Sequence, residues 1–128
     1  MQARLRPTIW RSLSVLPIGM RMRRGDIVTV ATPGDYGKPR PALVIQSDLF
    51  DPLSSVTLCL ITSTLLEAPV FRITVDPSPE NGLRRISQVE VDKIITVPRG
   101  RIGGVIGRLD DATLLKVSRS LAVFIGIA

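Results

Sequence analysis

From Arg24 to the C-terminus the chain is a succession of short apolar segments broken by turns. Gly25 to Ala31 is rich in β-branched residues, the pattern of a half-buried strand. Thr32 to Pro39 is dense in Pro and Gly and reads as a loop. Arg40 to Ser47 (RPALVIQS) is built on a continuous apolar run, which predicts a central buried strand. Asp48 to Ser55 is a second loop, and Val56 to Thr64 a third strand. Val70 to Val75 alternates, with Phe71, Ile73 and Val75 on one face. Asp76 to Gly82 is a turn region, where Asn81-Gly82 can adopt positive φ at little cost. Ser87 to Val97 predicts a fifth strand, bent near Lys93, and Ile102 to Leu109 a sixth, weakened by Gly103, Gly104 and Gly107. The period then changes. Asp110 and Asp111 precede an apolar stripe of Leu114, Val117 or Ser118, Leu121, and Phe124 or Ile125, with Lys116 and Arg119 toward solvent. That is helical spacing behind an aspartate N-cap. The elements predict a mainly β (α+β) domain: a small, strongly bent sheet or barrel of five to six strands with a C-terminal helix.

Composition narrows the chemistry. At 128 residues and 45% apolar, the chain fits one domain with a real core. No apolar run approaches the ~18 residues a membrane helix needs, so no membrane partner is expected. With one Cys and no His, there is no intramolecular disulfide, no multi-Cys zinc site, no Ser-His-Asp triad and no histidine acid–base pair. No metal and no cofactor are expected. The formal charge of +6 points to nucleic acid only if it lies on the folded part. The first 24 residues hold Arg4, Arg6, Arg11, Arg21, Arg23 and Arg24 and no acid, which leaves eleven cations and eleven acids for residues 25–128. Residues 1–22 are therefore expected to form a basic leader, disordered or an over-extended start, ahead of a domain at 23–128. What remains in the domain is local clustering: Lys38 with Arg40, Arg84 with Arg85, and Arg99 with Arg101.

Arg40 stands between Pro39 and Pro41, so its guanidinium leaves a stiff backbone. A planar, always-charged fork suits a phosphodiester and binds it more strongly as negative charge builds. It could equally be a strand-end Arg paired with Asp35 or Asp48. Thr62, Ser63 and Thr64 end the third strand, where hydroxyls can hold a phosphate oxygen or simply close a turn. Asp92 lies beside Lys93 and two residues after Glu90; paired carboxylates can supply a base and an anchor, or form a solvated strand face. Arg84-Arg85, beside a Gly-containing turn, could track a phosphate backbone or solubilise a loop. Tyr36, the only Tyr, could stack a base or anchor its loop. Cys59, between Leu58 and Leu60, reads as a small core residue.

Taken in order, Arg24-Gly25-Asp26-Ile27-Val28, Gly37 to Ile45 (GKPRPALVI), Leu60-Ile61-Thr62-Ser63, Val91 to Val97 (VDKIITV) and Ile106 to Asp110 (IGRLD) resemble the MazF/PemK toxin family over residues 23–126. The resemblance implies a small SH3-like, CcdB-like β-barrel, a homodimer, and a metal-independent endoribonuclease that cuts single-stranded mRNA at short motifs. It also implies a cytoplasmic setting and a cognate antitoxin, expected to be acidic and partly disordered. Carried onto this sequence, the family's catalytic residues fall on Arg40, Thr62 and Asp92. Asp35, Tyr36, Lys38, Ser63, Arg84, Arg85 and Lys93 are the expected RNA-contacting set. The chain departs from the pattern: Lys93 stands where many members have Gln, and Glu90 where PemK-like members carry a catalytic Arg. The histidine some members use is absent, so an arginine-plus-threonine arrangement fits better. Two other readings stay open, a CcdB-like gyrase poison and a catalytically silent, antitoxin-binding barrel.

Overall fold

The computed structural model describes residues 22–31 and 38–128. Six strands form one sheet: β1 (Asp26–Val30), β2 (Arg40–Val44), β3 (Ser55–Thr62), β4 (Arg72–Val75), β5 (Ser87–Pro98) and β6 (Ile102–Arg108). One helix, α1 (Asp111–Phe124), ends the chain, and 3₁₀ turns occupy Asp48–Phe50 and Arg99–Arg101. The order across the sheet is β4-β5-β3-β2-β1-β6, every neighbour antiparallel. All seven elements expected from the pattern are present. β2 is shorter than its apolar run: it stops at Val44, and Ser47 caps the 3₁₀ turn by accepting from the Leu49 N–H at 3.2 Å.

The sheet bends strongly but does not close into a hydrogen-bonded barrel, because β4 and β6 remain its edges. β6 meets the turn after β4 instead. The Arg108 N–H donates to the Glu80 carbonyl at 2.8 Å. A Cβ on Gly107 would lie 2.3 Å from the Asn81 backbone, and one on Gly82 2.1 Å from the Ile106 carbonyl oxygen. The glycines that weaken β6 as a strand are thus what let this turn seat against it.

Both faces of the sheet are apolar. Ile27, Leu43, Cys59, Ile61, Val89, Val91 and Leu109 pack under Val117 and Leu121 of α1. Val28, Val30, Ala42, Val44, Val56, Leu58 and Val97 pack on the other side with Met22, the first described residue. β5 serves both. Val89 and Val91 face the helix, whereas Ile95 and Val97 join the second cluster. All four are odd-numbered, and simple alternation would place them on one face. A bulge reverses the facing: between the pairs Cys59↔Ile94 and Ile61↔Val89, β3 advances two residues and β5 five. This is the bend expected near Lys93.

α1 starts at Asp110, whose carboxylate accepts from the Thr113 N–H at 3.0 Å. A 14-residue helix is marginal alone in water, so burial of Leu114, Val117 and Leu121 holds it in place. Arg24 adds a tie, donating through Nη1 to the Ile45 carbonyl and through Nη2 to Ser118 Oγ at 2.5 Å. Asp26 accepts from the Arg23 N–H at 2.9 Å and pairs with Arg108 at 3.1 Å. The Arg-Gly-Asp segment is therefore structural. Arg23 and Arg24 also belong to the fold rather than the leader, so residues 22–128 carry thirteen cations against eleven acids. Residues 1–21 of the expected leader lie outside the described residues. Arg99, read above as part of a basic cluster, is buried, bonding the Leu53 carbonyl at 2.6 Å and pairing with Asp51 at 3.3 Å. Among the described residues no helix is long and apolar enough to cross a membrane.

Candidate active site

The residues that begin β2 and end β3 line one cleft. β2 pairs with β3 as far as Ala42↔Leu60, and Arg40 and Thr62 each lie two residues beyond that pair. The same count sets them on one face of the sheet. Arg40 is exposed, with Val30 of β1 on its other flank. Thr62 Oγ1 accepts from the Thr64 N–H at 3.1 Å, which folds Thr62-Ser63-Thr64 into a compact hydroxyl turn.

An open cleft of about 650 Å³ lies over this pair. Arg40, from the start of β2, and Thr62, Ser63 and Thr64, at and just after the end of β3, line it together with Leu83, Arg84 and Arg85. Arg84 and Arg85 project from the β4–β5 connection. Asn81 pins that connection, with its side chain donating to the Asp76 carbonyl at 2.8 Å and accepting from the Ser78 and Leu83 N–H groups. Strand register and a pinned turn thus bring five of the expected residues into one cleft: Arg40, Thr62, Ser63, Arg84 and Arg85.

The other expected residues lie elsewhere. Lys38 is exposed two residues before Arg40 and does not line the cleft. Asp92 and Lys93 sit in the β5 bulge, also outside the cleft lining. Asp92 Oδ2 is 3.8 Å from Lys93 Nζ, and its Oδ1 is buried with no hydrogen-bond partner among the described residues. Asp35 and Tyr36 lie outside the described residues. Two residues beside the cleft carried no signal of their own: Gln88, which pairs with Thr62 across β3–β5, and Arg72, which pairs with Glu90 across β4–β5. Their placement depends on register, which a strand pattern does not contain.

A second hollow of about 710 Å³ is lined by Asp76, Glu80, Asp110 and Asp111, with Arg108 and Lys116. Arg108 is already paired with Asp26. Four carboxylates disfavour a polyanion there, whereas the first cleft presents three arginines and, among the described residues, no carboxylate. Cys59 is fully buried in the core, and burial pushes its thiol up to about 12, against a partial opposing effect of Arg24. Among the described residues no group of three or more His, Cys, Asp or Glu stands together as a metal site.

A bent six-stranded antiparallel sheet with one C-terminal helix and an arginine-lined cleft defines the class, and known proteins of that class match. A mycobacterial endoribonuclease solved in complex with its cognate antitoxin superposes with a TM-score of 0.70 at 21% identity, covering 84% of this chain and 97% of that one. Mycobacterium tuberculosis toxin MazF-mt6 superposes with a TM-score of 0.69 at 25% identity, over 80% of this chain and 98% of that one. The probable endoribonuclease MazF of Mycolicibacterium smegmatis is 46% identical over 108 residues, 84% of this chain and 99% of the relative. The family profile of the PemK-like, MazF-like toxins of type II toxin-antitoxin systems matches residues 23–125. The chain belongs to that family. The gyrase-poison and silent-barrel readings are accordingly not favoured.

Proposed function

We propose that this chain is the endoribonuclease toxin of a type II toxin–antitoxin pair, and that it cleaves single-stranded RNA in the cleft between Arg40, Thr62 and the Arg84-Arg85 turn. The observation that carries this reading is that Arg40, at the start of β2, and Thr62, at the end of β3, line one cleft together with Arg84 and Arg85. The ribose 2′-oxygen attacks its adjacent phosphorus while the bond to the 5′-oxygen breaks. The 2′-hydroxyl loses its proton and the departing 5′-oxygen gains one, leaving a 2′,3′-cyclic phosphate and a 5′-hydroxyl. Charge builds on the non-bridging oxygens in between. Arg40 meets that charge with a bidentate donor, and the Thr62 hydroxyl, already oriented by the Thr64 N–H, donates to a second oxygen. Arg84 and Arg85 hold flanking phosphates, and unstacked bases present their edges to the cleft walls. Asp92 is assigned no chemical step, because it stands outside the cleft. The reaction needs no metal in this reading. It takes place in the cytoplasm, where the antitoxin is also met. A homodimer is the working unit, and the exposed apolar side chains of Val70, Val123, Phe124 and Ile125 support a two-fold interface.

The test is cleavage of a long RNA in EDTA, with the ends mapped. The expected products carry cyclic-phosphate and 5′-hydroxyl ends. Arg40→Ala is expected to slow single-turnover cleavage by about 10²–10³-fold, the effect of removing one oxyanion donor, with the fold intact. Cleavage that stops in EDTA, or an Arg40→Ala protein as active as the parent, would overturn this reading.

A further inference from the structure

Behind the cleft lies a buried polar network that serves an exposed turn. Gln88 is only 5% exposed. Its Oε1 accepts from the Leu66 N–H at 3.0 Å, and its Nε2 donates to the Leu66 carbonyl at 3.0 Å and to Thr74 Oγ1 at 3.2 Å. The side-chain amide thus grips both polar groups of one residue, as a neighbouring strand would. Arg72 Nη1 donates to Gln88 Oε1 at 3.3 Å and to the Thr64 carbonyl at 3.2 Å. Arg72 Nη2 in turn pairs with Glu90 at 3.2 Å, and these two side chains are 10% and 9% exposed.

Charged and amide groups are costly to bury, and they are tolerated when they bond to one another. What this network holds is informative. Its backbone partners are Thr64 and Leu66, in a turn whose residues 63–67 are all exposed. Leu65 and Leu66 are about half exposed and contribute little to either core. The turn's side chains on the cleft are Ser63 and Thr64, and its Thr64 N–H is the group that orients Thr62 Oγ1. Glu90 neutralises Arg72, so the guanidinium can stay buried while reaching the turn.

We infer that Gln88, Arg72 and Glu90 are positioning residues, a buried clamp that fixes the Thr62–Leu66 turn so that the Thr62 hydroxyl stays aligned with Arg40. This rests on the reading of the cleft as the RNA-cleaving site. A hydroxyl displaced by about 1 Å can lose up to about 10²-fold in rate without any change in the reacting groups.

The experiment uses the full chain and four proteins: the parent, Thr62→Ala, Gln88→Ala and the double variant. Single-turnover cleavage and KM are measured, together with amide hydrogen exchange at Leu66. Gln88→Ala is expected to slow cleavage about 10–100-fold at nearly unchanged KM, and to speed Leu66 exchange by about tenfold or more. In the Thr62→Ala background the same substitution should cost less than about twofold, because its effect runs through the hydroxyl it positions. A merely structural role would give losses that add in the double variant. Additive losses, or parental rates in Gln88→Ala, overturn the inference. An unchanged Leu66 exchange rate overturns the clamp alone. Intact RNA with the parent protein, or full activity in Arg40→Ala, overturns the reading of the cleft and the positioning role with it. Should Gln88→Ala not fold, Gln88→Glu keeps the acceptor for Leu66 and Arg72 but loses the donor, and is expected to give a smaller loss in the same cycle.

Discussion

Gly25 links two strand ends and the helix in one residue. Its φ of +95° is open to glycine and strained for other residues. Its N–H donates to the Val44 carbonyl and its own carbonyl accepts from the Leu109 N–H, both at 2.9 Å. A Cβ there would lie 2.9 Å from Leu114 Cδ2 and 3.2 Å from Arg108 Nη1. Gly25→Ala is therefore expected to lower stability by about 1–3 kcal/mol, read as a shift of the urea midpoint at unchanged slope. The neighbouring Arg24 and Asp26 are tied to backbone, helix and Arg108 in the same way. A segment that the family resemblance made prominent thus turns out to be architecture. Arg40 is the opposite case. Its two flanking prolines and its place at a strand start mark it in the sequence as a candidate for chemistry. What the strand pattern could not contain was the cleft that Arg40 shares with Thr62, 22 positions away.

Element by element, the apolar pattern was easy to read where one rule governed it. β1 and β4 carry clear alternation or β-branching, and α1 carries its stripe behind an aspartate. The cap itself is testable. The Thr113 hydroxyl, and after it the Thr113 N–H, hold the Asp110 carboxyl below its ordinary 3.8. A folded-state value below the unfolded one stabilises the protein above the unfolded value, and that contribution is lost as pH falls through the folded one. Thermal unfolding of Asp110→Ala should show a loss of about 1 kcal/mol at neutral pH, narrowing toward the parent as pH is lowered below 3.8. A deficit that does not change with pH would contradict the charge contribution. β5 was harder. Its bend could be anticipated, but the extra residues opposite Leu60 send Val89 and Val91 to one core and Ile95 and Val97 to the other. Asp92 and Lys93 fall among these extra residues. Alternation counts positions along one strand, whereas a bulge is a property of two.

For the molecule as a whole, the net charge is a poor guide to where RNA would lie. The +6 of the chain includes four arginines among residues 1–21. Of the cations in the fold, Arg24, Arg72, Arg99 and Arg108 are engaged by backbone, carboxylates or both. Three arginines line the cleft. Binding of residues 22–128 to a 2′-deoxy oligonucleotide, which resists cleavage, should therefore fall with salt at a log–log slope of about −2, the value for three phosphate contacts on a single strand. A slope of about −5 would mean that charges outside the cleft take part. The choice of Arg40 with Thr62 came from the family resemblance; the succession of strands and helix, the capped apolar stripe and the absence of histidine chemistry were present in the residues themselves. They follow from local rules: period, propensity, capping and side-chain chemistry. The meeting of Arg40 and Thr62 in one cleft, the seating of the turn at residues 76–82 on β6, the placement of Asp92 in the β5 bulge and the bonds from Gln88 to Leu66 came only with the folded chain. Each of these joins segments far apart in sequence, and it is the register and bend of the sheet, set by packing on both of its faces, that bring them together.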